Sequence, residues 1–223
     1  MYVTVLRSVL GWPDTKNIPN APTNKGIVIH YDGGSRNLTA KEHPACLDYW
    51  KWCRDFHIKT NGWKDIGYSY GICPHGVLFE GRGFGREQAA QPGGNRDWLS
   101  VTLMLGKKES PTEKQIAAFN EFRTKLVRTK KIAEAVSFHS MFFATDCPGD
   151  IVRNKIAHGE FSKLLPVADA DQYWSALQEL PLLNDLGPNA KAVVKSMQRA
   201  LNLDDDGDIG PNTWSAIIKK VLK

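Results

Sequence analysis

Three residues carry side chains whose types and spacing suit a transition metal. The stretch FHSMFFATDCPGD, residues 138–150, holds His139 and Cys147 with seven residues between them and ends on a Cys-Pro-Gly turn signal. His30 closes the apolar run GIVIHY. Two histidines and one cysteine form a ligand set of the kind that catalytic zinc uses, with the fourth position left to water.

A structural interpretation of the same residues stays open at this point. A buried cysteine packs as a small hydrophobe, and a core histidine can satisfy its hydrogen bonds internally. The chain has six histidines, which offer many chance pairs. Spacing alone therefore does not decide between a metal site and ordinary packing.

The elements that would position these residues follow from the apolar patterns. GIVIHY (26–31) and AVSFHS (135–140) predict strands that end at His30 and His139, and LSVTLMLG (99–106) predicts another buried strand. IGYSYGIC and HGVLFEG predict two strands joined at the turn signal Pro74-His75-Gly76. We expect both histidines to end strands of one sheet.

Two segments predict amphipathic helices. ACLDYWKWCRDFH spaces its apolar residues at threes and fours. SPTEKQIAAFNEFRTKLVRT predicts a helix with Ser110 as N-cap, Pro111 at the first position and Glu113 completing a capping box. One face of that helix is apolar, at Ile116, Phe119, Phe122 and Leu126. Alternating strands and helices predict an α/β fold with a mixed central β-sheet flanked by helices.

Composition is that of a globular protein. The 223 residues are 42% hydrophobic and 24% charged, which predicts a packed core. The sequence contains no run of about 18 apolar residues that would predict a membrane span, and its N-terminal residues do not resemble a secretory signal. We therefore expect synthesis in the cytoplasm and reduced cysteines. Cys46 and Cys53 lie on the same predicted helix and are expected to pack in the protein core.

Charge and proline content divide the chain. Through Leu165 there are 23 Lys and Arg against 16 Asp and Glu, a net of +7, and the remainder carries −2. A basic surface suits nucleic acid or an anionic cell wall, but no aromatic platform is interleaved, so we expect a solvated face and no nucleic-acid partner.

We predict a main domain at 1–165, a linker at 166–183 and a small all-helical domain at 184–223. Between its two helices, LDDDGDIGP lacks the closing glutamate of a calcium loop and predicts a solvated turn.

A family resemblance runs through these same motifs. The string NGWKDIGYSYGICPHGVLFEGRG (61–83), with IVIHYDGG and the FHSMFFATDCPGD run, resembles the zinc-dependent N-acetylmuramoyl-L-alanine amidases of the phage lysozyme and peptidoglycan recognition protein superfamily. The resemblance covers residues 24–155. It implies that His30, His139 and Cys147 bind one zinc per chain, and that zinc-activated water hydrolyses the amide between N-acetylmuramic acid and L-alanine. It makes Tyr68 the catalytic tyrosine.

The resemblance also gives roles, or alternatives, to other residues. Thr145 falls where some phage members have lysine, and its hydroxyl is expected to hydrogen-bond the oxyanion. Three positions are candidate substrate contacts, each with a structural alternative: Arg82 as a brace of its turn, Asn95 as a support of its loop, and His57 as a packing or orienting group. The sequence departs from the family at Gln91, which affects the surroundings of the metal. We expect three further histidines to lie at the surface: His43, His75 and His158.

The C-terminal segment resembles a small helical peptidoglycan-binding domain over residues 184–222. The matching positions are Val194, Met197, Gln198, Leu201, Asp206, Gly207, Gly210, Pro211 and Thr213. A wall-binding module beside a wall hydrolase implies a phage endolysin that is made in the host cytoplasm and acts on the host cell wall after the membrane is breached.

Two alternative functions follow from the same family. The first is a non-catalytic peptidoglycan-binding protein, against which Cys147 argues, because binding-only members lack that ligand. The second is a phage regulator that binds a polymerase through a basic face, against which the appended wall module argues.

Overall fold

The computed structural model describes residues 2–165 and, beyond them, Lys195, Gln198 and Arg199, which are helical. The predicted linker, the rest of the two predicted C-terminal helices and the turn between them lie outside the described residues. Within Tyr2–Leu164 the chain folds as one compact unit. The proposed boundaries at 165 and 184 stay predictions. Across the described ranges, no helix is long and apolar enough to span a membrane.

A six-stranded mixed sheet forms the centre of this unit. Its strands are β1 (Thr4–Val5), β2 (Ile27–Gly33), β3 (Tyr70–Ile72), β4 (Leu78–Glu80), β5 (Leu99–Gly106) and β6 (Val136–Phe138), in the spatial order β1-β4-β3-β5-β2-β6. Only β3 and β4 pair antiparallel, as the predicted hairpin, and the other neighbouring strands are parallel. The predicted α/β fold with a mixed sheet is confirmed.

Three helices cover the two faces of the sheet: α1 (Pro44–Lys59), α2 (Glu113–Arg128) and α3 (Asp150–Ala157). Phe119 of α2 and Val152 of α3 pack in one core with Ile29 of β2. Trp50 of α1 packs in a second core, with Phe79 of β4. Because successive strand residues point to opposite faces, His30 faces away from the α2 core.

Close packing of α1 depends on a glycine in β3. A Cβ built on Gly71 would lie 2.6 Å from the ring of Trp50, so only glycine lets the indole approach the strand this closely. Cys46 and Cys53 are buried on α1, as predicted. The tight helix–sheet contact fixes α1 over the half of the sheet that contains β3 and β4.

The start of α2 differs from the prediction. The capping box is formed by Thr112 and Gln115, not by Ser110 and Glu113: the Gln115 amide donates to Thr112 Oγ1 at 3.1 Å, and the Thr112 amide donates to Gln115 Oε1 at 3.1 Å. Tertiary bonds select this register, because Thr112 Oγ1 also donates to the Pro74 carbonyl at 2.6 Å, and Gln115 Nε2 donates to the carbonyl of Ile72 at 2.9 Å.

Two predicted strand ends also shift. His30 does not end its strand, because pairing with β5 continues to Gly33 through a register irregularity after Tyr31. Strand β6 stops at Phe138, and His139 begins a 3-10 turn, His139–Met141. Both histidines nevertheless belong to neighbouring parallel strands or their immediate continuation.

Candidate metal centre

The pairing of β2 with β6 brings the two histidines together. Ile29 lies opposite Phe138 in the parallel register, so His30 and His139 follow at adjacent positions, with ring centroids 4.6 Å apart. Cys147 reaches the same place from the loop before α3. One ligand atom from each of the three residues lies within 4.8 Å of the others.

Hydrogen bonds aim two of these side chains. His30 Nε2 lies 3.0 Å from Gln91 Oε1, so Nε2 carries the proton and the free lone pair of Nδ1 points to Cys147 Sγ, 3.8 Å away. The Cys147 sulfur accepts from the Tyr31 amide at 3.4 Å. In a tetrahedral zinc site, neighbouring sulfur and nitrogen ligands lie about 3.5 Å apart, which is close to the observed separation.

The electrostatics of the cluster fit a cation. Burial, and then the charge of His139, lower the pKa of His30 to about 3, and burial lowers that of His139 as well. Both imidazoles are therefore neutral at pH 7 and able to ligate. Burial raises the pKa of the Cys147 thiol to about 12, although the Tyr31 amide and Arg153 oppose this. A divalent cation favours the thiolate strongly.

One unsatisfied atom supports the same conclusion. His139 Nε2 is buried and has no hydrogen-bond partner among the described residues. A buried polar atom without a partner costs about 1–3 kcal/mol. With two nitrogen donors and one sulfur donor, the residues present fit zinc.

Tyr68 lies beside this cluster. Its ring centroid is 5.4 Å from that of His30 and 5.5 Å from that of His57. Burial, and then the proximity of Cys53 and Cys147, raise the pKa of the half-buried Tyr68 phenol well above its ordinary value. The hydroxyl therefore stays protonated and available as a donor.

Thr145 supports the cysteine directly. The amide of Cys147 donates to Thr145 Oγ1 at 3.2 Å, which holds the turn that carries the sulfur. Because the threonine oxygen accepts in this bond, its own O–H proton remains free to donate. Thr145 is half-buried, next to the candidate ligand.

The three candidate substrate contacts all make structural bonds. The buried Arg82 guanidinium donates to the carbonyls of Ile66, Glu87 and Asp65, at 2.6, 2.9 and 3.3 Å, so its contacts support the bracing alternative. Asn95 Oδ1 accepts from the amides of Ala90 and Gln91, both at 2.9 Å, and thereby holds their loop.

His57 is likewise occupied within the fold. Its Nδ1 accepts from the Gly67 amide at 3.1 Å, and its ring lies against those of Trp63 and Tyr68. Burial, and then the charge of Arg82, lower the pKa of His57 to about 4. These contacts support the orienting alternative, with Tyr68 as the group that is oriented.

Gln91, where the sequence departs from the family, lies in the surroundings of the candidate metal site, as expected, and its hydrogen bond to His30 is what the sequence does not predict. Gln91 is fully buried. The interpretation of His43 and His75 as surface residues is wrong, because both are half-buried and face cysteines. His158 is exposed, as predicted.

Comparisons with known proteins identify the class that this fold and site define. Residues 20–150 match the family described as N-acetylmuramoyl-L-alanine amidase, which uses zinc. The match spans more than half of the chain, and the chain therefore belongs to this family. Residues 174–217 match a second family, described as "Putative peptidoglycan binding domain".

Individual relatives agree with this membership. Peptidoglycan-recognition protein LB of Drosophila melanogaster is 30% identical over 130 residues, which are 55% of this chain and 53% of that protein. The N-acetylmuramoyl-L-alanine amidase of Sus scrofa is 33% identical over 105 residues, 45% of this chain and 18% of that protein. The chain thus spans about half, or less, of the length of these relatives.

Solved structures show the same fold. Drosophila PGRP-LB superposes with a TM-score of 0.64 at 25% identity, covering 75% of this chain and 100% of that one. Bumblebee PGRP-SA superposes with a TM-score of 0.64 at 24% identity, covering 70% and 95%.

Proposed function

We propose that this chain is a zinc-dependent amidase that hydrolyses the bond between N-acetylmuramic acid and L-alanine in bacterial peptidoglycan. The observation that carries the proposal is the convergence of His30, His139 and Cys147 within 4.8 Å beside Tyr68. Family membership supports it independently.

The proposed roles follow from the donors and acceptors of each side chain. His30, His139 and Cys147 hold the zinc. Zinc bound there supplies a water of lowered pKa and polarises the amide carbonyl. Tyr68, protonated at neutral pH, donates a hydrogen bond or a proton to the developing tetrahedral centre. Thr145 contributes a weaker, neutral hydrogen bond to the oxyanion.

Product analysis tests this reaction. A soluble muramyl peptide incubated with the full chain should release a peptide with a free N-terminal alanine, detected by mass spectrometry, without new reducing sugar ends. A chelator should abolish the release, and added zinc should restore it. Peptidoglycan binding without any release would identify a binding protein instead and would refute the amidase assignment.

Metal analysis tests the ligand set separately. Cys147→Ser should lose about one zinc equivalent relative to the unmodified chain, together with its activity. Cys53→Ser, which removes another buried thiol, is the matched control and should keep both. Equal zinc content in the unmodified chain and in Cys147→Ser would remove Cys147 from the site.

The same proposal assigns the chain to a phage endolysin, made in the host cytoplasm and acting on the host wall after the membrane is breached. The combination of an amidase match with a peptidoglycan-binding match supports it, as does the basic excess, which favours anionic wall polymers. Bacteria that express the chain in the cytoplasm should lyse only once their membrane is permeabilised. Lysis without permeabilisation would contradict this route.

A further inference from the structure

A second group of metal-binding side chains lies apart from the amidase site. His43 directly precedes α1, Cys46 lies in the first turn of α1, Cys73 follows β3, and His75 lies in the turn to β4. One ligand atom from each lies within 4.8 Å of the other three. None of the four belongs to the ligand set proposed for catalysis, so the cluster needs its own explanation.

The distances inside this cluster match tetrahedral coordination. Both imidazoles turn Nδ1 towards sulfur: His75 Nδ1 lies 3.4 Å from Cys46 Sγ and 3.8 Å from Cys73 Sγ, and His43 Nδ1 lies 3.8 Å from Cys73 Sγ. Zinc–sulfur bonds of about 2.3 Å and zinc–nitrogen bonds of about 2.0 Å place such atoms about 3.5 Å apart. The three sulfur–nitrogen distances match this value, and all four ligand atoms lie close enough together for one ion to reach them.

Burial and charge balance indicate a closed site. Cys46 and Cys73 are 0% exposed, and the two histidines are half-buried. Two thiolates and two neutral imidazoles around a divalent ion form a neutral unit, which a protein interior can accommodate more easily than an unbalanced charge. Four protein ligands leave no position for substrate, as in structural zinc sites.

The turn that carries Cys73 and His75 is held rigidly from outside. Gly76 adopts φ +82° and donates its amide to the Cys73 carbonyl at 2.9 Å, and the Pro74 carbonyl accepts from Thr112 Oγ1 at 2.6 Å. The Cys73 amide donates to the Val77 carbonyl at 3.1 Å. Contacts of this kind around a metal ligand fix the orientation of its side chain.

The orientation of His43 at the start of α1 also favours coordination. His43 occupies the N-cap position of α1, yet its side chain makes no capping hydrogen bond, and the first turn of α1 contains no acidic residue. Its ring is directed at Cys73 instead. Ordinary capping therefore does not explain the placement of this side chain, whereas coordination does.

From this geometry we infer that His43, Cys46, Cys73 and His75 form a structural zinc site, which fastens the start of α1 to the β3–β4 turn. The spacing is His-x-x-Cys in one segment and Cys-x-His in the other, so each segment supplies one nitrogen and one sulfur ligand. This raises the expected content from one zinc per chain to two. It does not depend on the proposed amidase activity.

Zinc content and thiol count of the full chain test the inference together. The chain, purified without added metal or reductant, should contain about two zinc equivalents and four titratable thiols after denaturation in the presence of chelator. The double variant Cys46→Ser/Cys73→Ser should retain about one equivalent. Cys53→Ser, which changes a buried thiol of the same helix, should retain about two.

A cobalt measurement keeps the test valid if the double variant does not fold. In Cys147→Ser the proposed catalytic set has lost its only sulfur ligand, so a thiolate-to-cobalt charge-transfer band can arise only from the second cluster. This variant should bind Co²⁺ with that band and with the visible absorption of a tetrahedral ion. Absence of the band in a folded Cys147→Ser would overturn the inference.

Two other results would also overturn it, and they differ in meaning. One zinc with two thiols missing from the count would show a Cys46–Cys73 disulfide. One zinc with four free thiols would show that the cluster is only packed side chains. If instead the second cluster binds metal while Cys147→Ser loses none, the amidase ligand set fails and the structural site stands.

Discussion

Replacing Gln91 by leucine should weaken zinc binding at the proposed site of His30, His139 and Cys147, although none of these three ligands is changed. Gln91 Oε1 is the acceptor that keeps the proton of His30 on Nε2, at 3.0 Å, and its own amide is anchored towards the Gly94 carbonyl at 3.5 Å. Leucine has a similar volume but no acceptor. The buried imidazole would then lose both its partner and its preferred tautomer.

The size of the effect follows from that single bond. An unpaired buried N–H costs about 1–3 kcal/mol. Loss of an outer partner of a metal-binding histidine typically weakens metal affinity about 10- to 100-fold. That range corresponds to about 1.4–2.7 kcal/mol, so the two estimates agree. We expect Gln91→Leu to need about 10- to 100-fold more free zinc for half of its activity.

Reactivation of the metal-free chain in chelator-buffered zinc is the suitable assay, because the proposed hydrolysis requires zinc at His30, His139 and Cys147, and both glutamine variants leave the second cluster unchanged. Gln88→Leu is a matched control: Gln88 is buried in the same loop region, but both of its side-chain polar atoms lack partners within the described part of the chain. Gln91→Glu retains an acceptor and should bind zinc at least as tightly as the unmodified chain. If Gln91→Leu and Gln88→Leu reactivate at the same free zinc concentration, the positioning role is wrong.

Three further predictions concern other parts of the chain. Tyr68→Phe should keep its fold and zinc but lose about 10²- to 10⁴-fold in turnover of a muramyl peptide, whereas Thr145→Ala should lose less; near-normal turnover of Tyr68→Phe would reduce the tyrosine to a packing role. The pKa of His57 is lowered to about 4, below its unfolded value of about 6.5. The neutral His57 therefore contributes fully to the free energy of unfolding above pH 6.5, and this contribution is lost as the pH falls towards 4. The loss amounts to at most about 3 kcal/mol. Denaturant unfolding at several pH values should show a flatter pH dependence of the unfolding free energy in His57→Gln than in the unmodified chain, and identical curves for the two proteins would contradict this. Truncation after Leu165 should leave a folded unit that cleaves small muramyl peptides normally but lyses intact cell walls poorly at physiological salt. If the truncated and full chains lyse walls equally at that salt, and residues 184–222 do not sediment with walls, the tail has no tethering role.

Local sequence patterns predict the strands that carry the two histidines of the proposed metal site. The β-branched run before His30 and the strand pattern before His139 were sufficient to place both histidines in one sheet. That the two strands are direct neighbours is a long-range property, which the spacing of residues along the chain does not give. The ends of those strands were less well predicted, because the pairing of β2 with β5, not the apolar run, decides that β2 continues to Gly33.

The errors share a physical cause, which is dependence on partners far away in sequence. Ser110 and Thr112 are both acceptable N-caps, and the Pro74 carbonyl, 38 residues away, selects Thr112. Gln91 and His30 are separated by 61 residues, so nothing local to either one indicates their bond. Contacts of this kind appear only when the sheet is assembled.

The sequence does not predict the second group of metal-binding side chains, for a related reason. Helical periodicity accounted for Cys46 as a core residue of α1, and a turn signal accounted for His75. Each interpretation was locally sufficient. Neither segment contains a Cys-x-x-Cys pair, the usual indicator of a zinc site, because each contributes one cysteine and one histidine. The set is recognisable only after the packing of Trp50 against Gly71 fixes α1 near the β3–β4 turn.

What separates the two clusters chemically is the surroundings of the metal position, since both offer imidazole and thiolate. The set of His30, His139 and Cys147 supplies three ligands, and next to it stand Tyr68 and Thr145, whose O–H groups can donate. In the other cluster a fourth side chain completes the coordination, so water and substrate have no place at the ion. The same donor chemistry therefore suits the proposed hydrolysis at the site formed by His30, His139 and Cys147, and the proposed cross-link between α1 and the β3–β4 turn.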